Sequence, residues 1–215
     1  MFESRDSNLF LRGIAMSSRM FTSDMTDLTN ELKKQIDGEV RFDRMSRALW
    51  STDASIYQIE PIGVVLPRHD DDVVSVIETA NKFNVPVLPR GGGTSLAGST
   101  VGEAIIIDFS LYMRSIKDIN VEEKWVSTQP GIILDELNSY LSPEGVLFAP
   151  DPSTSNRGNV GGSLGNNSCG AHSIMWGKTV DNVIEIDAIL SDGTKTTFGQ
   201  LDDAALESKM RSSSL

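Results

Sequence analysis

The stretch that decides the fold is Pro89-Arg90-Gly91-Gly92-Gly93-Thr94-Ser95-Leu96-Ala97-Gly98, which follows the apolar run Val85-Pro86-Val87-Leu88. A strand that runs into consecutive glycines presents no Cβ on the inner wall of the turn. The backbone can then take positive φ, approach a ligand closely and turn its N–H groups inward. Such a loop suits a diphosphate. Thr94 and Ser95 add hydroxyl donors, and Arg90 brings charge for either the anion or a neighbouring carboxylate. A P-loop is excluded because Ser99 and Thr100, not Lys, follow Gly98, and a Rossmann turn because Leu96 stands where a small residue is required.

A second glycine stretch supports the first. It begins Pro150-Asp151-Pro152-Ser153-Thr154-Ser155-Asn156-Arg157 and continues Gly158-Asn159-Val160-Gly161-Gly162-Ser163-Leu164-Gly165-Asn166-Asn167-Ser168-Cys169-Gly170. Five glycines and three amide side chains among the last thirteen residues supply backbone donors and two-way hydrogen-bonding groups and little that builds a core, so the segment reads as a lining.

Together with Trp176-Gly177-Lys178-Thr179-Val180-Asp181-Asn182-Val183, these motifs resemble the FAD-binding half of the FAD-linked oxidases. That is the branch of the vanillyl-alcohol oxidase and p-cresol methylhydroxylase superfamily containing D-lactate dehydrogenases, glycolate oxidase subunits and 2-hydroxyglutarate dehydrogenases. The similarity runs from Thr52-Asp53-Ala54-Ser55-Ile56-Tyr57 nearly to the end of the chain, and that phrase is most similar to large members that join FAD and iron–sulfur domains. The resemblance implies an extended FAD with its pyrophosphate at Arg90, Gly91, Gly92, Gly93, Thr94, Ser95 and Gly98. It implies a flavin and ribityl lining of Asp151, Gly158, Asn159, Gly161, Gly162, Gly165, Asn166, Asn167, Ser168 and Gly170, with nucleotide contacts from Asn182, Val183 and Ile184. Thr94 stands where tethered-flavin members often carry a histidine, which implies noncovalent FAD. The implied activity is oxidation of a small 2-hydroxy acid such as D-lactate by hydride transfer to flavin. The family's substrate-capping domain follows such a segment, so the chain reads as an N-terminal portion, inactive alone, with catalytic residues and any iron–sulfur acceptor outside it.

Composition narrows the alternatives. A chain of 215 residues with 39% apolar residues can bury a real core, and a formal charge of −11 without a basic run argues against nucleic acid and anionic membranes. One cysteine, Cys169, excludes a disulfide framework and a cluster within the chain, and reads as a small packed residue of the lining. No apolar run reaches the ~20 residues of a membrane span, and the expected setting is the cytoplasm. Arg5, Arg12 and Arg19 faintly resemble a transit peptide, but Glu3, Asp6 and Asp24 oppose it, so residues 1–24 read as a disordered extension with Met25 as an alternative start.

The fold class expected is α+β, short strands with covering helices: a helical arm over residues 25–58, then an FAD-binding domain of the p-cresol methylhydroxylase type over 59–215. In the arm, Leu28, Leu32 and Ile36 mark a helix capped by Thr26 or Asp27, and 43–49 a second. Residues 63–67 read as a strand and 70–83 as a helix whose Asp70, Asp71 and Asp72 complement the macrodipole rather than bind a metal. The return strand at 85–89 makes one βαβ unit with it. Strands are expected at 104–109, 124–128 and 146–148, a helix at 131–141, a hairpin at 182–198 turning on Asp192-Gly193, and a last helix at 201–210 before a trailing 212–215.

Rival readings are a truncated module that binds FAD without oxidising anything, an enolpyruvate reductase-like flavoenzyme, and a serine hydrolase. The last rests on Gly161-Gly162-Ser163-Leu164-Gly165 as a G-x-S-x-G elbow, which lacks its strand and its downstream acid. His69 reads as a surface residue at a helix start, and His172 as facing the flavin edge without a catalytic role.

Overall fold

A computed structural model describes residues 22–212. The readings placed on residues 1–21 and 213–215 lie outside it. The heart of the fold is a four-stranded sheet of β1 (Glu39–Arg41), β2 (Gly63–Leu66), β3 (Val87–Arg90) and β4 (Ile105–Asp108) in the order β1-β2-β4-β3. The strands β2, β4 and β3 are parallel, and β1 is antiparallel to β2. Both β2 and β4 are buried along their whole length, which is why they read as uninterrupted apolar runs rather than alternating ones. The expected βαβ unit is corrected in one respect: β4 lies between β2 and β3 and pairs with both. The Ile105-Ile106-Ile107 run has no polar face to turn to solvent, so it takes the central slot and pushes β3, with its loop, to the edge.

One sheet face is covered by α1 (Thr22–Gln35) and α3 (Asp70–Lys82), joined in a single cluster with Val65, Ile105 and Ile107. Leu28, Leu32 and Ile36 of α1 are buried there, so the arm shares the core of the sheet. The helix starts before the expected caps at Thr26 and Asp27. The short α2 (Arg44–Leu49) is capped as its sequence suggests, Asp43 accepting from Ser46 N–H at 2.9 Å. Over the other sheet face lie Trp50, Leu88 and Tyr112.

The chain then makes a hairpin of β5 (Ile116–Asn120) and β6 (Trp125–Thr128), covered by α4 (Leu134–Leu141). The strand β5 escaped the sequence reading because a bulge between Ile116 and Asp118 breaks its alternation. Residues 146–148 are not a strand; the Asn138 amide holds Phe148 from both sides, accepting from its N–H and donating to its carbonyl. The segment read as a bare lining contains α5 (Val160–Asn166), followed by α6 (Ser173–Trp176). The Asp192-Gly193 turn joins β7 (Glu185–Ile189) to β8 (Lys195–Gly199), and α7 (Asp203–Ser212) closes the described chain. None of these helices is long and apolar enough to cross a membrane.

The three aspartates that open α3 diverge. Asp72 accepts from the N–H groups of Asp37 and Arg68, Asp71 pairs with Lys195, and Asp70 faces Lys117. His69 caps this helix at Asp72 N–H, and its Nε2 lies 3.2 Å from Asp37. That hydrogen bond to Asp37, opposed by partial burial and helped by the charges of Asp72, Asp37 and Asp71, raises the imidazole above its ordinary value. A raised native value favours the folded state fully below the ordinary imidazole value near pH ~6.5 and loses that advantage as pH climbs through the raised one. Urea unfolding between about pH 5.5 and 8.5 should therefore show a stability decline in the parent that is shallower in His69→Ala. Parallel pH profiles would remove His69 from this role.

Candidate functional site

The two glycine stretches meet. At the end of β3 the loop turns back on the segment leading into α5, and a Cβ on Gly91 would stand 2.7 Å from Asn159 Oδ1. One on Gly92 would run into the carbonyl of Arg157. These two positions must be glycine for the loop to lie against 157–159 at all. Asn159 is 2% exposed and its Nδ2 donates to Gly131 O at 2.5 Å, which leaves Oδ1 turned toward the loop. That oxygen is the buried polar side-chain atom without a partner among the described residues. Such an orphan costs about 1–3 kcal/mol unless something donates to it.

The loop's own donors are also free. The N–H groups of residues 92–96 meet no acceptor among the described residues, whereas those of Ala97 and Ser99 go to Ser95 Oγ. Gly93 sits at φ +65°, a conformation that side-chain-bearing residues seldom adopt. Arg90, expected at the anion or a carboxylate, turns to the main chain instead. Its Nη1 donates to the carbonyls of Trp50 and Thr100 at 3.2 and 3.1 Å, and its Nη2 to that of Thr52 at 2.8 Å. Burial lowers its pKa below the ordinary guanidinium value, with Asp108 and Asp53 pulling the other way. A guanidinium is not deprotonated in proteins, so the cation is permanent.

The remaining glycines divide by what surrounds them. A Cβ on Gly161 would stand 2.7 Å from the Pro130 ring, and one on Gly170 would overlap the Asp151 carbonyl. At Gly158 a Cβ would sit tightly, 3.2 Å from the Thr154 carbonyl and 3.3 Å from its hydroxyl. Around Gly162 and Gly165 there is nothing within 4 Å. Packing demands the first pair to be small and says nothing of the second, so these two face open space.

The other expected residues tie the wall together. Asn167 Oδ1 accepts from Val180 N–H at 3.0 Å, Ser168 O accepts from both groups of Thr179, and Asn166 Nδ2 donates to Gly162 O. Asn182 Nδ2 reaches the carbonyls of Trp176 and Lys178. Val183 is partly buried and Ile184 is 68% exposed. Thr94 is half-buried, with Ser95 shared between Ala97, Ser99 and Ser99 Oγ. Asp151 pairs with His172 at 3.3 Å, and the His172 ring meets Trp176 edge-on at 5.2 Å. Cys169 is exposed, not packed as expected, because the chain leaves α5 through left-handed Asn167 and turns that side chain outward. Ser163 is only 5% exposed inside α5, with no strand before it, so it cannot serve as an elbow nucleophile.

The sequence reading missed the residues behind the loop. Asp53 Oδ2 accepts from Thr100 Oγ1 at 2.9 Å, Ala54 N–H donates to Gly93 O at 3.0 Å, and Gly98 has no room for a Cβ against the Tyr57 ring. The available signal was the Thr-Asp-x-Ser phrase, whose aspartate closes a local turn by accepting from Ser55 N–H.

A parallel sheet edge delivering a glycine loop of unpaired donors, faced by a second glycine wall, defines a nucleotide-binding fold of the flavoprotein kind. Comparison makes it specific: residues 61–199 match the family model described as FAD binding domain, and the chain belongs to that family. It is 42% identical over 173 residues to D-2-hydroxyglutarate dehydrogenase of Pseudomonas putida, covering 79% of this chain and 17% of that protein. The Escherichia coli K12 enzyme of the same name is 41% identical over 167 residues, 76% of this chain and 16% of that one. The Bacillus subtilis glycolate oxidase subunit GlcD is 31% identical over 173 residues, 77% and 37% of the two chains. This chain thus spans about a sixth of the first two relatives. In solved structures the fold recurs in an alkyldihydroxyacetonephosphate synthase (TM-score 0.71, 21% identity, 89% of this chain and 40% of that one). It recurs also in 4-ethylphenol oxidase from Gulosibacter chungangensis (TM-score 0.70, 19% identity, 84% and 36%).

FAD fits what the structure offers: free loop donors for a diphosphate, open space at Gly162 and Gly165, and an orphaned acceptor in Asn159 for a donor group. The glycines therefore divide under mutation. Gly161→Ala should lower stability by about 1–3 kcal/mol through the Pro130 clash, and Gly162→Leu should leave the melting temperature nearly unchanged while weakening FAD binding. Thermal melts and FAD titration of both variants check this; equal FAD affinity in Gly162→Leu and the parent would clear that space of cofactor.

Proposed function

We propose that this chain is the FAD-holding part of a flavin-dependent dehydrogenase that oxidises a small D-2-hydroxy acid of the 2-hydroxyglutarate or lactate kind. The observation that carries it is the meeting of the two glycine stretches around unpaired donors, in a chain 42% identical to a D-2-hydroxyglutarate dehydrogenase. When bound, FAD supplies the hydride acceptor for the α-carbon of the hydroxy acid. The N–H groups of residues 92–96, with Thr94 and Ser95, hold the diphosphate, and no side chain needs to neutralise it by contact. The wall from Gly158 through Gly170, with Asp151 behind it and the Asn182, Val183 and Ile184 strand start beside it, excludes water from one side and fixes orientation. Thr94 offers no nucleophilic ring nitrogen, so the cofactor is held noncovalently.

Substrate chemistry is assigned elsewhere. His69 is engaged in capping α3 and His172 in Asp151, so this proposal assigns neither histidine as the base. The electron acceptor is not assigned in this proposal; an iron–sulfur domain outside this chain is one acceptor that fits it. The lone cysteine accords with a cytoplasmic setting.

Acid precipitation of the FAD-loaded chain should release its yellow chromophore to the supernatant, and colour kept in the pellet would defeat noncovalent binding. Mixed anaerobically with D-2-hydroxyglutarate, D-lactate or glycolate, the loaded 215-residue chain should keep its flavin band unbleached. Bleaching would place a complete substrate site within this chain.

A further inference from the structure

The glycine loop is braced from behind by a segment that the family match leaves out. That match begins at residue 61, whereas the three carbonyls and the N–H that engage the loop and Arg90 include those of Trp50, Thr52 and Ala54. Residues 51–57 leave α2, turn through an antiparallel bridge between Thr52 and Gln58, and lie against both ends of the loop. At its start Ala54 N–H donates to Gly93 O at 3.0 Å. At its end Tyr57 packs on Gly98, where a Cβ would stand 2.6 Å from the ring, and Asp53 Oδ2 holds Thr100 Oγ1 at 2.9 Å.

Arg90 is the bolt. Its guanidinium lies under Gly93, where a Cβ would stand 2.6 Å from Nη2, and it joins the carbonyls of Trp50 and Thr52 to that of Thr100. Trp50 is anchored in turn, its Nε1 donating to buried Asp108 at 2.6 Å. A planar cation with a fixed fork of donors can bridge carbonyls on separate segments; a lysine ammonium is a point charge and cannot span them in one plane.

We infer that residues 51–57 are a strap that, bolted by Arg90, fixes the glycine loop in its anion-accepting shape and thereby sets FAD affinity. The residues act through the loop and are positioning residues; the inference rests on the FAD reading of the site. It separates itself from simple electrostatics by sign. Asp53 carries negative charge near the loop. Burial raises its pKa, but the hydrogen bonds from Ser55 and Thr100 prevail and hold it below the ordinary carboxylate value. Removing that charge beside a diphosphate site should tighten FAD binding if charge alone matters. If the strap matters, the loss of its tie to Thr100 should weaken binding.

The experiment is FAD titration of the 215-residue chain by flavin fluorescence, paired with amide hydrogen exchange of residues 91–100 in the FAD-free chain. Asp53→Ala should weaken FAD by about tenfold and speed loop exchange while other protected amides hold, and Asp53→Asn, which keeps an acceptor for Thr100, should recover part of both. Arg90→Lys, which keeps the charge, should lose affinity as well. Should Arg90→Lys fail to fold, Tyr57→Ala, at a half-exposed ring, carries the same expectation. Tighter or unchanged FAD binding with unchanged loop exchange in Asp53→Ala overturns the strap, and full affinity in Arg90→Lys overturns the bolt. A parent chain that binds no FAD refutes the site reading itself, and the exchange data then still decide whether the strap shapes the loop.

Discussion

The bond between Arg90 and the carbonyls of Trp50, Thr52 and Thr100 is the constraint on which the site depends. A charge drawn away from water must have its donors filled. Here peptide oxygens rather than a carboxylate fill those donors, with Asp108 and Asp53 acting on the cation only through their charge, and the geometry pulls separate segments together. In a chain with a formal charge of −11, a diphosphate is otherwise repelled. In the proposed site, a permanent cation beneath the loop and a row of unpaired N–H groups on it would supply the local attraction that the overall charge withholds.

The sheet places this arrangement. Parallel β2, β4 and β3 all end on the same side, and β3, at the edge, can send its loop outward without crossing a neighbour. The Ile105-Ile106-Ile107 strand occupies the centre because both of its faces are apolar, and Asp108 at its end receives the Trp50 indole. Core and site are thus coupled through one strand: its apolar residues build the sheet and its terminal carboxylate anchors the brace behind the loop.

Glycines perform different work within a few residues of each other. At Gly91, Gly92, Gly161 and Gly170 the protein itself fills the space a Cβ would take, and at Gly162 and Gly165 nothing does. The first group lets the chain pack closely on itself; the second faces open space. Composition treats all six alike, because smallness at a position says nothing about what lies opposite.

The sequence by itself determined the buried strands at 63–66 and 105–108, the α3 helix with its acidic start, the Asp192-Gly193 hairpin and the two glycine stretches. Each of these is written in local residue order as an apolar run, a cap or a turn, and local order is enough to specify it. Only the tertiary structure decided that β4 sits between β2 and β3, that Arg90 binds carbonyls, and that Asn159 keeps an orphaned oxygen facing Gly91 and Gly92. It also decided that Cys169 is exposed and that residues 51–57 stand behind the loop. The physical reason is partner choice. A guanidinium, an amide or a thiol can satisfy itself in several ways, and which way prevails depends on groups tens of residues distant that only folding brings within hydrogen-bonding range.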